Sequence, residues 1–102
     1  MGLTIDTEHS PEGPLIKVSG EVDLYSSPEL RKVILKTIPG AKGDLVVDLS
    51  GVTYIDSSGV ATLVEGLRSA RENGSGFVLV KPSPAVMQVL ELARLDSVFE
   101  VR

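Results

Sequence analysis

Residues 45–71 have the sequence LVVDLSGVTYIDSSGVATLVEGLRSAR, in which an apolar run meets a helical pattern across one acidic, hydroxyl-rich turn. Residues 44–49 are short, apolar and β-branched, as expected of a strand covered on both faces. The apolar residues of the second half recur at helical spacing: Val60, Leu63, Val64 and Leu67. Asn73 and Gly74 favour a helix end, which predicts a helix over residues 57–72. The stretch therefore predicts a strand, a turn and a helix.

The segments before this unit predict a strand pair and a first helix. Residues 3–8 alternate apolar and polar side chains, and residues 15–20 continue the same period after a turn, which is typical of a half-exposed hairpin. Ser27 is the predicted N-cap of the helix, with Pro28 at its first position and a stop at residues 39–40. The buried stripe of this helix is predicted to be Leu30, Val33, Ile34 and Ile38.

The segments after the unit repeat the same alternation. Residues 77–80 are apolar and predict another buried strand. Ser83 and Pro84 repeat the serine-proline helix start, and residues 97–101 predict a last strand. The buried stripe of this third helix is predicted to be Val86, Val89, Leu90 and Ala93.

The order of elements is therefore β-β-α-β-α-β-α-β. Strands separated by helices need crossover connections and run parallel, whereas the first two strands can pair antiparallel. The sequence predicts an α/β fold, with a mixed, mostly parallel sheet of four to five strands packed against helices. The length of 102 residues, with 42% hydrophobic and 24% charged residues, predicts one domain over residues 1–102.

Composition excludes several classes of function. The chain has no cysteine, which removes disulfides, thiolate metal sites and cysteine nucleophiles. The net charge of −4 opposes nucleic-acid binding, because that affinity comes mainly from clustered Lys and Arg. No apolar run approaches the roughly 20 residues that a membrane helix needs, and the first residues lack the order of a signal peptide. We expect a soluble, cytoplasmic protein without membrane insertion.

The motifs of catalysis are missing from the sequence. His9 is the sole histidine, lies in a polar turn, and would have to serve any Ser-His-Asp triad. There is no G-x-S-x-G elbow, no phosphate loop and no histidine cluster at metal-ligand spacing. Asp48 is predicted to order a strand end rather than to accept a phosphoryl group. We therefore predict no catalytic, metal or cofactor site, and a protein that is not an enzyme.

The turn before the second helix has more polar side chains than a helix start needs. Asp56 or Ser57 can cap the helix, which contributes roughly 0.5–2 kcal/mol, but Ser58 is a third candidate in succession. Gly59 follows inside the first turn, where glycine costs about 1 kcal/mol relative to alanine. This suggests that something approaches the backbone closely there. The turn also lies at the carboxyl edge of the predicted sheet, where α/β domains tend to place their sites.

Three segments together resemble the STAS domain family, in particular bacterial anti-sigma factor antagonists. Residues 45–71 look like the family signature around Asp-Ser-Ser-Gly. VSGEVDLYSSPELR (residues 18–31) resembles the Gly-Glu-x-Asp segment that leads into the family's first helix. VKPSPAVMQVLELARLDSVFEV (residues 80–101) resembles its closing strand, helix and strand. The resemblance covers nearly the whole chain, and the order of the three segments makes it specific.

The resemblance implies a phosphorylation switch at Ser57. In such antagonists the first hydroxyl residue after the aspartate is phosphorylated by an anti-sigma factor that is also an ATP-dependent serine kinase. The unphosphorylated form binds that kinase and frees the sigma factor, the phosphorylated form releases it, and a separate serine phosphatase resets the switch. The family pattern thus predicts Ser57 as the acceptor. The residues predicted to face the partner are Glu21, Asp23, Asp56, Ser57, Ser58, Gly59 and Ala61.

A second function of a different class stays open. Stand-alone STAS proteins also resemble small cytoplasmic subunits of phospholipid-transport ABC transporters, which dock on the transporter ATPase and support its assembly or activity. The same Asp-Ser-Ser-Gly turn occurs there. The sequence does not separate a kinase partner from an ATPase partner, whereas a catalytic or small-ligand function is the least favoured of the three.

Overall fold

The computed structural model describes residues 2–41 and 43–102, and in these ranges it has five strands and three α-helices. The strands are β1 Leu3–Ser10, β2 Gly13–Val22, β3 Leu45–Ile55, β4 Phe77–Val80 and β5 Glu100–Val101. The helices are α1 Ser27–Thr37, α2 Ser57–Glu72 and α3 Pro84–Leu92. The sheet order is β1-β2-β3-β4-β5, with β1 antiparallel to β2 and every later pair parallel. The predicted α/β fold and element order are confirmed.

The hairpin is longer than its alternating pattern indicated. Leu3 lies opposite Gly20 at one end of the β1–β2 ladder, and Ser10 lies opposite Gly13 at the other. The backbone pairing continues past the alternating residues, because ladder hydrogen bonds do not depend on side-chain polarity. His9, which was expected in the turn, is an exposed residue of β1.

The start of α1 differs from the prediction. Ser26, not Ser27, occupies the N-cap position, and its hydroxyl makes no cap bond to the helix. Ser27 is the first helical residue and is buried, so Pro28 stands one position later than expected. The predicted stop is confirmed in outline, since α1 ends at Thr37 and a short 3-10 turn follows at Ile38–Gly40. The stripe is buried at Leu30, Ile34 and Ile38 and half-buried at Val33.

β3 begins one residue later and ends well beyond the predicted residues 44–49. Its apolar residues Val52 and Ile55 are buried while the residues around them are exposed, so one face of the strand stays on the core to the end. β4 pairs with β3 only as far as Asp48. Residues 49–55 pair with β2 alone, and α3 packs against β3. β2 and β3 therefore project beyond β4 and hold the turn that precedes α2.

Asp48 lies inside β3, although the sequence placed it near a strand end. Its carboxylate accepts a hydrogen bond from the N–H of Ser50 at 2.9 Å, where the β2–β3 register shifts by a bulge. Burial opposes the charged form of Asp48, but the N–H and hydroxyl of Ser50, with Lys81 and Lys17 nearby, outweigh it and hold its pKa below the ordinary value. The prediction that Asp48 orders the backbone agrees with these contacts.

One apolar core joins the sheet to all three helices. It contains inward residues of β2 and β3 together with the stripes of α1, α2 and α3. In α2 the predicted stripe is buried at Val60, Leu63 and Leu67 and half-buried at Val64. Gly74 ends α2 with a φ of 72°, and the N–H of Ser75 returns to the carbonyl of Ala70 at 2.8 Å. This left-handed helix end is the one that Asn73-Gly74 predicted.

The end of the chain departs most from the sequence pattern. The prediction that Ala93 is buried is wrong: it is exposed, because α3 ends at Leu92 and the backbone turns there. Arg94 takes the left-handed position with a φ of 59°, and the N–H of Leu95 returns to the carbonyl of Leu90. Of the predicted last strand, residues 97–101, only Glu100–Val101 pair with β4.

Candidate functional site

The turn between β3 and α2 is organised by the side chain of Asp56. Asp56 is the N-cap of α2, and its Oδ1 accepts hydrogen bonds from the N–H groups of Ser58 at 2.9 Å and Gly59 at 3.2 Å. Its carbonyl oxygen accepts the N–H of Val60 at 3.0 Å. The sequence left the cap open between Asp56 and Ser57, and the structure assigns it to Asp56. The hydroxyl of Ser57 is thereby left outside the cap.

Asp56 also joins this turn to the loop between β2 and α1. Its Oδ2 accepts a hydrogen bond from the N–H of Leu24 at 3.2 Å, and its own N–H donates to the carbonyl of Val22 at 3.1 Å. Adjacent parallel strands end at the same edge of a sheet, which brings the two loops together. One carboxylate thus connects residues 32 positions apart in the chain.

The β2–α1 loop, residues 23–26, is folded on itself by short hydrogen bonds. The Asp23 carboxylate accepts the N–H groups of Tyr25 and Ser26, both at 2.9 Å. The Ser26 hydroxyl donates to the carbonyl of Glu21 at 2.7 Å and accepts the N–H of Asp23 at 2.9 Å. The N–H of Ser26, ahead of every other contact, holds the pKa of the Asp23 carboxyl below its ordinary value of 3.8. The charge of Asp23 is therefore used to shape the loop.

Ser57 is the first residue of α2, and it is exposed. Within the described ranges its Oγ has no hydrogen-bond partner, and Ala61, four residues later on the same side of the helix, is exposed as well. Ser58 is half-buried; its N–H donates to Asp56 and its carbonyl accepts the Thr62 hydroxyl at 3.1 Å. Of the two hydroxyls, that of Ser57 is the more open to a partner.

Gly59 has an internal reason to be glycine. It is buried, and a Cβ built on it would lie 2.6 Å from Cγ1 of Ile55, 2.8 Å from Cγ1 of Val22 and 3.0 Å from the Val22 carbonyl oxygen. The sequence indicated that something approaches the backbone closely at Gly59, and the structure shows that Ile55 and Val22 do so. The close approach comes from β2 and β3 beneath the helix. Gly59 lets α2 begin directly against the ends of these strands.

The structure brings the predicted site residues to one edge of the sheet. Glu21 is half-buried near the end of β2, opposite Tyr54 of β3, and Asp23 follows in the loop. Asp56 bridges this loop to α2, where Ser57 and Ala61 are exposed. Gly59 is buried against Val22 and Ile55, and Ser58 is half-buried.

Sequence reasoning missed three exposed apolar side chains around the turn. Leu24 is 63% exposed, Tyr25 is 90% exposed and Tyr54 is 49% exposed. Leu24 and Tyr25 stand between a strand and a helix cap and belong to neither buried stripe. That position was the available signal, because an apolar pair in a polar connection has no core to enter.

The two chain segments that form this surface contain no cationic residue. Residues 18–30 and 50–64 contain four carboxylates and no Lys, Arg or His. The carboxylates are those of Glu21, Asp23, Glu29 and Asp56. We call the exposed part of these two segments the acidic face. Beyond it, Glu65 of α2 is paired with Arg31 of α1 at 2.8 Å.

A groove lies away from this surface. It has a volume of about 610 Å³ and runs between the β1–β2 hairpin and the C-terminal end of α1, beside His9 and Lys36. It lies at the edge where the parallel strands begin, opposite the Ser57 turn. Among residues 2–41 and 43–102, no three His, Asp or Glu side chains are grouped to hold a metal ion. In the same ranges, none of the helices is both long and apolar enough to cross a bilayer.

Comparison with known proteins adds the family. The family model described as "Mlab, STAS domain" matches residues 5–100, which includes most of the hairpin and the whole Asp56 turn and reaches the first residue of β5. The chain belongs to the STAS domain family. The resemblance expected from residues 18–31, 45–71 and 80–101 is confirmed.

The relatives of this STAS domain include proteins that carry a functional name. It is 29% identical over 101 residues to the anti-sigma-B factor antagonist of Staphylococcus aureus, covering 99% of this chain and 94% of that protein. Its fold matches the crystal structure of an anti-sigma factor antagonist from Mycobacterium paratuberculosis with a TM-score of 0.88 and 28% identity, over 98% of this chain and 85% of the other. The unphosphorylated antagonist SpoIIAA shares the fold at 21% identity, with a TM-score of 0.74 over 97% of this chain and 87% of its own.

Proposed function

We propose that this STAS domain is an anti-sigma factor antagonist whose binding to an anti-sigma factor is switched by phosphorylation of Ser57. The exposed hydroxyl of Ser57 carries the proposal: it stands at the first residue of α2, outside the Asp56 cap, on the acidic face. Full-length similarity to the Staphylococcus aureus antagonist supports the assignment of function. SpoIIAA, which shares the fold, has been solved in both unphosphorylated and phosphorylated forms.

Ser57 is positioned to act as a kinase substrate. In the transfer, its Oγ forms a bond to the γ-phosphorus of ATP, the bond from that phosphorus to the bridging oxygen of ADP breaks, and the hydroxyl proton passes to a base. Among the described residues no side chain accepts a hydrogen bond from the Ser57 Oγ, and the Asp56 carboxylate already accepts three N–H groups, so we assign the base to the partner kinase. The Asp56 cap holds the helix start rigid and spares the kinase the cost of ordering a flexible segment.

The added charge changes the surface rather than the fold. A phosphoryl group adds about −1.5 to −2 charges at pH 7. A helix N-terminus usually offers N–H groups to an anion. Here the N–H groups of Ser58 and Gly59 already donate to Asp56, and that of Val60 to the Asp56 carbonyl. The phosphate therefore stays at the surface, next to Asp56, where the acidic face provides no cation.

This arrangement gives a two-state cycle. Unphosphorylated antagonist binds the anti-sigma factor and frees the sigma factor. The phosphorylated antagonist carries a charge and a volume that the interface does not accommodate. Truncating or repelling one buried charged contact costs about 2–5 kcal/mol of binding free energy, which lowers the affinity about 30- to 5,000-fold. A serine phosphatase removes the phosphoryl group and restores binding. The cycle runs in the cytoplasm, where ATP is available.

The decisive experiment is a phosphorylation assay with an anti-sigma factor kinase from the same organism and ATP, followed by mass spectrometry. We expect one phosphoryl group on Ser57, none on Ser57→Ala, and unchanged modification of Ser58→Ala. Ser57→Asp should bind the kinase at least about 30-fold more weakly than Ser57→Ala. Unmodified Ser57 under conditions where the kinase modifies its established substrate would refute the switch.

Docking on a transporter ATPase, the alternative from the sequence, uses the same surface and remains a prediction. Affinity purification of the tagged chain from its own organism separates the two. Recovery of a transporter ATPase without any sigma-factor regulator would replace the proposed function. Recovery of an anti-sigma factor, lost in Ser57→Asp, would support it.

A further inference from the structure

Two adjacent apolar side chains are exposed on the acidic face and do not belong to the apolar core. Leu24 and Tyr25 are adjacent in the β2–α1 loop, 63% and 90% exposed, and Tyr54 at the end of β3 is 49% exposed. Single exposed apolar residues are common on protein surfaces, but adjacent ones beside a functional turn indicate an interaction site. The hydrogen bond from the Leu24 N–H to Asp56 ties this pair to the Ser57 turn.

The loop that carries the pair is ordered before any partner arrives. Asp23 accepts the N–H groups of Tyr25 and Ser26, and the Ser26 hydroxyl closes the loop against Glu21 and Asp23. Every N–H from Asp23 to Ser26 is therefore bonded to a side chain of the site. A rigid loop loses little conformational entropy on binding, so its exposed side chains contribute more of their burial energy to affinity.

Charge selects the chemistry of the partner. The acidic face has the carboxylates of Glu21, Asp23, Glu29 and Asp56 and no cation over residues 18–30 and 50–64. A surface that covers it must bring Lys or Arg to its rim and an apolar pocket to Leu24 and Tyr25. Tyrosine is among the residue types that dominate binding energy when they fill such a pocket.

We propose that Leu24 and Tyr25 are the anchor of this domain, and that they insert into an apolar pocket, rimmed by basic side chains, on the anti-sigma factor that phosphorylates Ser57. The proposal rests on the proposed function and assigns two tasks to different residues. The Leu24–Tyr25 pair supplies affinity in the unphosphorylated state, and phosphorylation of Ser57 removes that affinity. The pair and the switch share Asp56, which bonds to the loop through one oxygen and to α2 through the other.

The test is a calorimetric titration of the purified anti-sigma factor with unphosphorylated variants of the full chain. The double variant Leu24→Ser/Tyr25→Ser should bind at least about 30-fold more weakly than the wild type. Leu92→Ser is the matched control, because Leu92 is 79% exposed but lies at the C-terminal end of α3, toward the opposite edge of the sheet. The affinity of this variant for the anti-sigma factor should stay within about twofold of the wild-type value. Affinity for the wild type should also fall as NaCl rises from about 50 to 500 mM, since exposed charge pairs are screened by salt.

The outcomes are distinguishable. If the wild type binds and the double variant binds equally well, the anchor is refuted while the proposed function stands. If affinity does not change with salt, the basic rim is refuted. If the wild type alone forms a dimer in sedimentation and the double variant is a monomer, the occupant is a second copy and the proposal fails. If unphosphorylated wild type does not bind the anti-sigma factor at all, the proposed function itself fails.

Tyr25→Ala, which removes a side chain that is 90% exposed, serves as a second variant that keeps the fold, and its affinity for the anti-sigma factor should fall about tenfold.

Discussion

Replacing Asp56 by alanine should destabilise the domain more than the loss of any other carboxylate on the acidic face. The substitution removes the acceptor of three N–H groups, those of Ser58, Gly59 and Leu24. Loss of the α2 cap costs about 1 kcal/mol within a range of 0.5–2. The freed N–H of Leu24 adds about 0.5–1.5 kcal/mol, at the lower end because water reaches it. The total is about 1.5 kcal/mol, which lowers the melting temperature of a domain of this size by about 6–12 °C.

Thermal unfolding followed by circular dichroism measures this effect, and two variants serve as controls. Asp56→Asn keeps a side-chain oxygen for the helix cap but loses the acceptor for Leu24, so it should lose about half as much stability. Asp44→Ala removes one exposed carboxylate that accepts a single N–H, from Gly76 at 3.1 Å, and should lower the melting temperature by no more than about 4 °C. A melting temperature of Asp56→Ala equal to that of Asp44→Ala would refute the role of Asp56 as the link between the two loops.

Three further predictions concern the same edge of the sheet. Gly59→Ala should lose about 1–3 kcal/mol in urea unfolding despite the better helix propensity of alanine, because its Cβ would collide with Ile55 and Val22, whereas Gly40→Ala meets open space and should be neutral. Because the pKa of Asp23 is depressed in the folded protein, its contribution to stability is complete above pH about 4 and is lost as the pH falls through the pKa of the folded state. Asp23→Asn should therefore flatten the dependence of the melting temperature on pH below about pH 4. An unchanged dependence in this acidic range would contradict the prediction. Ser58→Ala should keep wild-type stability within about 0.5 kcal/mol, since Asp56 bonds to the backbone N–H of Ser58 and not to its hydroxyl.

Local patterns predicted most of the secondary structure for identifiable reasons. The extent of α2 follows from an apolar stripe that continues for about three turns, from Val60 to Ala70, and from Gly74, which takes the left-handed position after the helix. The fold class followed from the alternation of strands and helices, because parallel strands require crossovers. The errors lie where backbone pairing or local turns override side-chain pattern. Thus β3 continues to Ile55 along β2, and α3 stops before Ala93.

In the candidate site too, local sequence indicated some features and tertiary contacts decided the others. Residue type and order pointed to the turn at residues 56–58, since an acid followed by hydroxyls at a helix start is a local signal, and the family resemblance then implied Ser57. A local sequence signal does not predict contacts between segments that are distant in the chain. The bond from Leu24 to Asp56 spans 32 positions, and no local pattern indicates that the two loops share a carboxylate. The exposure of Leu24 and Tyr25 was hidden for the same reason, because burial depends on what packs against a side chain.

The sequence by itself determined the order of the elements, the STAS resemblance and Ser57 as the phosphorylation candidate, because each depends on neighbouring residues in the chain. The tertiary structure decided the rest. Asp56 caps α2, Gly59 lies against Val22 and Ile55, and the N–H groups of Ser58 and Gly59 are bonded to Asp56 and are not free for a phosphate. These outcomes depend on the parallel pairing of β2 with β3, which brings their two loops to one edge, and on the distances that follow from it.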